Sequence, residues 1–154
     1  MSNWDANTAE WYAEKYGEYA TNRLAVDALD LVAGVSILDV GCGTGAALRH
    51  AAEVVETGEL VGADLVPRMV EIAQERAANH PAGSRIRFVI AGAEALPMED
   101  AQFDVVLAFD SYDHWQNPAQ GLAEVRRVLR PEGRFVVVKD GGVAELRSFG
   151  KEVE

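Results

Sequence analysis

Short apolar runs alternate with longer stretches of helical periodicity along the chain after Gly34. Each run has the length and apolar content of a buried strand: SILDVG, ELVGAD, RIRFVIAG, FDVVLAFD and, after the break PEG, RFVVVKD. The stretches between them place apolar residues three or four positions apart, most clearly in TGAALRHAAEVVETG, PRMVEIAQERAANH and PAQGLAEVRRVLR. Strands that alternate with helices pair in parallel through right-handed crossovers. The pattern therefore predicts a doubly wound α/β fold with a mostly parallel sheet of about five strands.

The first 34 residues carry no strand-like run and are predicted to be helical. In TNRLAVDALDLVAG the apolar residues recur at helical spacing, and Gly34 stands where that helix would end. The segment before it is rich in aromatic residues: Trp4, Trp11, Tyr12, Tyr16 and Tyr19. These residues fit either a lid over an apolar ligand, with Tyr12 or Tyr16 reaching the bound molecule, or the buried face of a helix packed on the sheet. We favour the lid.

Length and charge limit the classes of protein to which the chain can belong. Its 154 residues suit a single domain, and a net charge of −11 opposes binding to a phosphate backbone, so no nucleic-acid partner is expected. No stretch approaches the ~20 consecutive apolar residues of a membrane span, and the start lacks the pattern of a secretory signal. We therefore expect a cytoplasmic protein with no membrane partner. The lone Cys42 excludes an internal disulfide and a multi-cysteine zinc site; it is expected to be buried, and no metal is expected.

Three glycines crowd the end of the first predicted strand, in SILDVGCGTG. Gly41 permits a tight turn, Gly43 lets the backbone approach a ligand closely, and the helix after Gly45 begins with free N–H groups. Gly41, Gly43 and Ala46 also satisfy the dinucleotide-binding fingerprint with alanine at its last position. The spacing alone leaves three interpretations open, namely a dinucleotide site, a site for another nucleotide, and an ordinary turn between a strand and a helix.

Two aspartates narrow the choice of ligand. Asp64 ends the second strand, where a carboxylate can accept both hydroxyls of a ribose, although Pro67 shortly after it also fits a helix cap. Asp39 stands directly before the glycines, where it would repel the pyrophosphate of a dinucleotide and attract a cationic group. The pair favours a nucleoside ligand that carries a positive charge.

The motifs ILDVGCGTG, VGADLVPRMVEIAQER, AEALPMEDAQFDVVLAFD and LAEVRRVLRPEGRFVVV agree in order and spacing with a known family. Between about Ser36 and Asp140 the chain resembles the class I S-adenosylmethionine-dependent methyltransferases, specifically the small-molecule branch that includes the ubiquinone/menaquinone-biosynthesis type. The resemblance implies a Rossmann-like methyltransferase fold, S-adenosylmethionine as the cofactor, and methyl transfer to a small-molecule acceptor. It divides the single domain of residues 1–154 into a helical N-terminal lid or cap at 1–34 and a cofactor-binding α/β core at 35–154.

The resemblance also implies roles for the residues of the first two motifs. The backbone at Gly41, Gly43 and Gly45 would lie against the methionine and ribose portion of the cofactor. Asp39 would lie near the ammonium group, and Asp64 would bind the ribose hydroxyls.

The later motifs are implied to hold the adenine and to line the methyl-transfer cleft. Leu65 and Met69 would pack on the adenine, while the Ala93 backbone N–H and Glu94 would lie at its edge. Phe109, with Asp110 beside it, would line the cleft.

Histidines are the natural candidates for moving a proton at neutral pH. His114, in FDSYDHWQNP, is the best candidate base if the acceptor must lose a proton, and a histidine merely hydrogen-bonded at a helix entry is the alternative. Methyl transfer from a sulfonium requires no obligatory catalytic residue, because positioning and desolvation can supply several kcal/mol. His50 and His80 occupy helical positions and are expected on the surface without partners.

Three features depart from the family pattern. Gly92 stands where relatives usually carry an aspartate that accepts from the adenine amino group, and Glu132 replaces a glycine before the fifth strand. The family usually continues with a helix and an antiparallel hairpin, whereas this chain ends after VAELRSFGKEVE, which is predicted to begin that helix. The C-terminal strands are thus expected to be missing, which leaves the fifth strand as an open edge for a second copy or a completing partner chain.

Two other functions are weighed against small-molecule methyl transfer. A non-catalytic cofactor-binding or interaction protein would explain Gly92 and the missing hairpin. A nicotinamide-dependent oxidoreductase is disfavoured because Asp39 opposes a pyrophosphate.

Overall fold

The computed structural model describes residues 5–16, 20–56, 58–109, 111–139 and 142–147. In these segments five α-helices and six strands follow one another along the chain, with bounds α1 Ala6–Tyr16, α2 Ala20–Ala28, β1 Ile37–Val40, α3 Ala46–Val54, β2 Leu60–Asp64, α4 Pro67–Ala78, β3 Ile86–Ile90, β4 Phe103–Phe109, α5 Pro118–Val128, β5 Leu129–Lys139 and β6 Gly142–Arg147. Short 3₁₀ turns stand at Gly83–Arg85 and Tyr112–His114. Within the described residues, no helix has the length and apolar character needed to cross a membrane.

The strands form one sheet in the order β3-β2-β1-β4-β5-β6. The first five pair in parallel, as the alternation of strands and helices predicts, so the doubly wound α/β fold is confirmed. The strand order reverses between β1 and β4, which pair over Ile37–Val105 to Asp39–Leu107. In such sheets the loops beyond the carboxyl ends of the strands diverge at the reversal and leave a crevice there.

After β5 the chain forms a further strand at Gly142–Arg147, so the helix predicted for VAELRSFGKEVE is wrong over residues 143–147. Strand β6 runs antiparallel to β5, from the pair Lys139–Gly142 to the pair Arg134–Arg147. Pairing of this kind satisfies backbone N–H and C=O groups that β5 would otherwise present unpaired at the sheet edge. The open edge expected at β5 is therefore covered, and residues 148–154 lie outside the described part of the chain.

The predicted bounds of the second helix are also wrong at its C-terminal end. Helix α2 ends at Ala28, six residues before Gly34, because Asp30 adopts a left-handed backbone conformation with φ 50°. Leu31 and Val32 consequently belong to the connection that leads to β1. Of the N-terminal aromatic residues, Trp4 and Tyr19 lie outside the described residues.

Strand β5 begins earlier than RFVVVKD, because the break PEG is an irregularity inside the strand. The pairing with β4 passes from Phe103–Leu129 to Val105–Arg134, so four residues, 130–133, bulge out between two paired positions. A Cβ at Gly133 would stand 2.9 Å from the carbonyl oxygen of Arg130, so the bulge requires a glycine there.

Two apolar layers enclose the sheet, one on each face. Successive residues of β1 point to opposite sides, so Ile37 joins the cluster under α2 and α3, whereas Leu38 joins the cluster under α5. Helices on both faces explain why the inner strands are continuous apolar runs rather than alternating ones. A charged side chain in such a strand, as at Asp39, therefore stands out from its surroundings.

Candidate functional site

The glycine-rich loop leaves β1 and enters α3 at the point where the strand order reverses. Its three glycines all have left-handed backbone conformations, with φ 75° at Gly41, 53° at Gly43 and 80° at Gly45. The N–H groups of Gly41 and Cys42 both donate to the carbonyl oxygen of Ala63 on β2, at 2.7 and 3.0 Å. These two hydrogen bonds fix the loop against β2. Cys42 lies buried in the core, as expected.

The three glycines differ in what surrounds them. A Cβ at Gly41 would stand 2.4 Å from the Cβ of Ser111, and one at Gly45 would stand 3.0 Å from the ring of Phe88. A Cβ at Gly43 would meet no atom within 4 Å. The backbone at Gly43 therefore faces open space, where a ligand can approach it closely.

The contrast between Gly41 and Gly43 gives a matched pair of substitutions. We expect Gly43→Ala to cost about 1–2 kcal/mol of unfolding free energy, because alanine strains a left-handed backbone. We expect Gly41→Ala to lose about 1–3 kcal/mol more, because its Cβ also collides with Ser111. Urea unfolding of both variants measures the difference, and equal losses would contradict the close contact between Gly41 and Ser111.

Asp64 ends β2 and binds the glycine loop through its side chain. Its Oδ2 accepts from the Gly43 N–H at 3.0 Å, and its Oδ1 accepts from the Val66 N–H at 2.9 Å. Burial raises the pKa of this carboxyl above its ordinary value, against the two backbone hydrogen bonds, which lower it. The bond from the Val66 N–H is the helix-cap contact that Pro67 suggested. Each carboxylate oxygen also keeps a second lone pair, which is available to a ligand hydroxyl.

Asp39 is an acid buried inside the sheet, only 1 % exposed, and its Oδ1 has no hydrogen-bond partner among the described residues. Burial raises the pKa of the Asp39 carboxyl well above its ordinary value, and the nearby charge of Asp64 raises it further. An unpaired buried carboxylate is costly in an apo protein. A ligand cation in the crevice would supply the missing partner, so the residues present fit a nucleoside with a positively charged group.

The predicted adenine contacts are mostly apolar residues that follow β2 and β3. Met69 and Ala93 are buried, whereas Leu65 is 58 % exposed. A Cβ at Gly92 would stand 3.1 Å from three atoms of the Leu65 side chain, so this leucine lies directly against the glycine. The carboxylate of Glu94 accepts from the backbone N–H of Asn117 at 3.0 Å. This bond joins the segment after β3 to the start of α5.

The remaining predicted residues flank the carboxyl end of β4. Phe109 is half-buried at the end of the strand, and Asp110 lies outside the described residues. His114 stands exposed on the 3₁₀ turn that follows. The predicted residues lie at the carboxyl ends of β1, β2 and β4 or in the segments that directly follow β1 to β4: Asp39, Gly41, Gly43, Gly45, Asp64, Leu65, Met69, Ala93, Glu94, Phe109 and His114.

Ser111 is a residue that the sequence reasoning missed. Its Oγ donates to the carbonyl oxygen of Val40 at 2.7 Å, and its Cβ packs against Gly41. These contacts join the loop after β4 to the loop after β1. A small hydroxyl residue immediately after a predicted strand end, facing an obligatory glycine, is the signal that could have identified it.

The prediction for His50 and His80, surface positions without partners, is wrong. His50 is buried in α3, and its two ring nitrogens lie within hydrogen-bond distance of Asp27 and Glu53. His80 is half-buried, and its Nε2 lies 2.9 Å from Glu53. The spacing of His50 and Glu53, three positions apart on a helix, was a usable signal.

Comparison with known proteins identifies the family. Residues 38–137 match the family model described as Methyltransferase domain. The ubiquinone/menaquinone biosynthesis C-methyltransferase of Hahella chejuensis is 36% identical over 118 residues, which are 76% of this chain and 47% of that enzyme. An uncharacterized 37.1 kDa protein in transposon TN4556 of Streptomyces fradiae is 42% identical over 113 residues, which are 73% of this chain and 32% of that protein. The crystal structure of YcgJ from Bacillus subtilis superposes with a TM-score of 0.70 at 29% identity, covering 76% of this chain and 49% of that one.

The chain spans between about a third and a half of the length of these relatives. The family match covers well over half of the chain and contains the glycine loop, β2, β4 and most of β5. The chain therefore belongs to the class I S-adenosylmethionine-dependent methyltransferases, in the branch that includes relatives of the ubiquinone/menaquinone-biosynthesis type, as its motifs predict.

Proposed function

We propose that the chain binds S-adenosylmethionine in the crevice between β1 and β4 and transfers its methyl group to a small-molecule acceptor. The observation that carries this proposal is the buried, unpartnered oxygen of Asp39 beside a loop whose central glycine, Gly43, faces open space. A bound S-adenosylmethionine supplies an electrophilic methyl group on a positively charged sulfur. The chain supplies the binding groups, the orientation and the exclusion of water.

At the polar end of the crevice, Asp39 would hold the cofactor ammonium, and Asp64 would accept the ribose hydroxyls. Asp64 is already positioned for this role, because the N–H groups of Gly43 and Val66 fix both of its oxygens. The backbone at Gly43 has room for the cofactor to lie directly against the loop. Gly41 and Gly45 would shape the loop from either side, since each is closely packed against a neighbouring side chain.

At the apolar end, Leu65 and Met69 would pack on the adenine, and the backbone N–H of Ala93 would meet its edge. The carboxylate of Glu94 accepts from the N–H of Asn117, so in this structure it joins the segment after β3 to the start of α5. No carboxylate stands at position 92, where Leu65 covers the glycine. Recognition of the adenine would therefore depend mainly on apolar contact.

Introducing the missing carboxylate tests this arrangement. We expect Gly92→Asp to tighten binding of S-adenosylmethionine by about one to two powers of ten, because a hydrogen bond to a charged group is worth about 1.5–3 kcal/mol. Leu65 must move aside, which its exposure permits. Calorimetric titration measures the change, and Gly92→Ser, which adds a side chain without the charge, is the control. Unchanged or weaker binding by the aspartate variant would place the adenine elsewhere.

On the acceptor side, Phe109 and the turn that carries His114 would line the methyl-transfer cleft. His114 is exposed, and its imidazole would take the proton that an acceptor hydroxyl, amine or activated carbon loses during transfer. Lys139 at the end of β5 forms an ion pair with Asp113, the residue before His114. Residues 1–34 would act as a cap; of their described helices, α1 packs on α4 and α2 packs on α3.

The alternative of a non-catalytic binding protein rests on two departures from the family, and β6 removes one of them by covering β5. The outer edges of the described sheet are β3 and β6, and a second copy or a partner chain would add at β6. Light scattering of the purified chain tests this part of the proposal, and a concentration-independent monomer would contradict it.

The deciding experiment has two steps. The purified chain is titrated with S-adenosylmethionine and with S-adenosylhomocysteine, and it is then incubated with labelled cofactor and a panel of quinols, phenols and sterols. We expect binding in the first step and a labelled product in the second. Binding without turnover on any acceptor would favour the non-catalytic alternative, and no binding by folded protein would reject both.

A further inference from the structure

Helix α5 lies along a segment of the chain that has no helix or strand of its own. This segment, residues 91–102, connects β3 to β4 and contains Ala93 and Glu94, the two residues assigned to the edge of the adenine. A segment without regular structure cannot pair its backbone groups in a helix or a sheet, so other groups must satisfy them. Side chains of α5 supply partners for several of these groups.

The guanidinium of Arg127, near the end of α5, binds the segment directly. Its Nη2 donates to the carbonyl oxygen of Leu96 at 2.9 Å, and its Nη1 donates to the carbonyl oxygen of Met98 at 2.7 Å. The same Nη1 also donates to Oδ1 of Asp100 at 2.9 Å. Because the donors of a guanidinium form a rigid planar fork, these bonds fix the places of alternate residues in the segment.

Glu124, one turn earlier on α5, completes this contact. Its Oε1 accepts from the backbone N–H of Leu96 at 2.9 Å, and its Oε2 accepts from Nε of Arg127 at 2.6 Å. Hydrogen bonds from Arg127 and Leu96 lower the pKa of the Glu124 carboxyl, with Arg127 the largest cause, so this carboxylate is ionised at neutral pH. The N–H and the C=O of Leu96 are therefore both bound by the Glu124–Arg127 ion pair.

The same face of α5 also reaches the adenine-edge residues. Gln120 lies two helical turns before Arg127 on that face, and its Nε2 donates to the carbonyl oxygen of Glu94 at 3.3 Å. A Cβ at Gly121 would stand 3.2 Å from the Cβ of Ala93, so Ala93 lies directly on the helix. The segment therefore follows α5 from its adenine-edge residues to the contacts of Arg127.

A turn connects Leu96 to the adenine edge. The backbone N–H of Ala95 donates to the carbonyl oxygen of Gly92 at 3.4 Å, and Ala93 lies inside the turn that this bond closes. Leu96 is the next residue, so its position sets where the turn ends. The position of the Ala93 N–H therefore depends on the contacts that Arg127 makes with Leu96.

We propose that Arg127 is a positioning residue for the adenine of S-adenosylmethionine. Through Leu96 it fixes the turn that contains Ala93, and the Ala93 N–H then donates to N1 of the adenine, the ring nitrogen beside the amino group. The proposal rests on the proposed function, because that function places the adenine against Ala93. The glycine loop and Asp64 lie on other elements, so their contacts with the cofactor do not depend on Arg127.

The first test combines a variant with a change in the ligand. S-adenosylhomocysteine and its 1-deaza analogue, in which a carbon replaces adenine N1, are titrated calorimetrically into the parent protein and into Arg127→Gln. We expect the variant to bind S-adenosylhomocysteine about three- to tenfold more weakly, which is the worth of one hydrogen bond, and to bind the analogue as the parent does. General damage to the fold would weaken both ligands alike. Equal losses for both ligands, or unchanged affinity for S-adenosylhomocysteine, would overturn the proposal.

The second test examines the segment in the free protein by amide hydrogen exchange. We expect the amides of Ala95 and Leu96 to exchange at least tenfold faster in Arg127→Gln than in the parent, while the amides of β2 keep their protection. Unchanged exchange at both positions would also overturn the proposal. If the folded parent protein binds neither ligand, the proposed function fails and the role at the adenine fails with it. The exchange result then still reports whether Arg127 holds the segment.

Arg130→Gln is the matched control, because it removes the same charge from an arginine whose Nη1 donates to Asp104 at 2.7 Å. This variant should match the parent in binding and in exchange. Glu124→Gln keeps the test decisive if Arg127→Gln fails to fold, since its side-chain amide offers one acceptor oxygen where Leu96 and Arg127 use two. We expect it to weaken the binding of S-adenosylhomocysteine alone, and equal losses for the two ligands would reject the positioning role.

Discussion

Asp39→Asn should make the free protein more stable at neutral pH while it weakens cofactor binding. The Asp39 carboxyl is buried and its Oδ1 has no partner among the described residues, so at neutral pH its ionised form costs about 1–3 kcal/mol that a neutral asparagine avoids. In a chain of this length each kcal/mol changes the melting temperature by about 2–4 °C, so we expect a rise of about 3–10 °C. The proposed bond to the cofactor ammonium is worth about 1.5–3 kcal/mol, so its loss should weaken binding by about one to two powers of ten.

The pH dependence of this gain has a definite sign. Burial raises the pKa of Asp39 in the folded state above its value of about 3.9 in the unfolded chain. The folded state therefore holds the proton more tightly, and stability falls as pH rises from about 4 through the folded-state pKa. Asparagine cannot ionise, so the melting temperatures of the two proteins should converge near pH 4 and separate towards neutrality.

Differential scanning calorimetry over a pH series and titration with S-adenosylhomocysteine check both halves of this prediction. Glu99→Gln, which changes a carboxylate in the turn before β4, is the control and should alter neither quantity. An Asp39→Asn protein that is less stable than its parent at neutral pH would show that the carboxylate has a structural partner. Unchanged affinity would remove Asp39 from the cofactor site.

The sheet and the glycine loop were predictable because each rests on a strong local signal. A parallel strand buried on both faces, such as β1, β2 or β4, needs a continuous apolar run. The five runs in the sequence correspond to the five parallel strands. Asp39 was recognisable for the same reason, since a carboxylate inside such a run has no structural use. The loop geometry followed from the glycines, whose left-handed conformations exclude most other residues.

Features that depend on tertiary contact were not predictable. The segment 142–147 has no strong strand pattern, and its pairing with β5 depends on the unpaired backbone of that strand. His50 contacts Asp27, which is 23 positions away and on another helix. Ser111 gains its role only because β1 and β4 are adjacent, which places it against Gly41.

Asp64→Asn should weaken cofactor binding at least tenfold and lose about 1–3 kcal/mol of stability, whereas Asp64→Ala should weaken binding and lose about twice that stability. Asparagine keeps one carbonyl oxygen for a backbone N–H, but it replaces the second acceptor by a donor that faces another N–H. Alanine removes both bonds, which frees the N–H groups of Gly43 and Val66 and costs about 1–3 kcal/mol for each buried donor. Weaker binding could then reflect a disordered loop rather than a lost ribose contact.

A cofactor analogue without the ribose hydroxyls separates these two causes. If Asp64 binds the hydroxyls, the analogue should bind the parent protein about as weakly as S-adenosylhomocysteine binds Asp64→Asn, and the two changes together should add little further loss. If Asp64 acts only by holding the loop, the two losses should add. Calorimetric titration of both proteins with both ligands completes the cycle. Additive losses would leave Asp64 as a support of the glycine loop, whereas strongly non-additive losses would show that its carboxylate contacts the ribose.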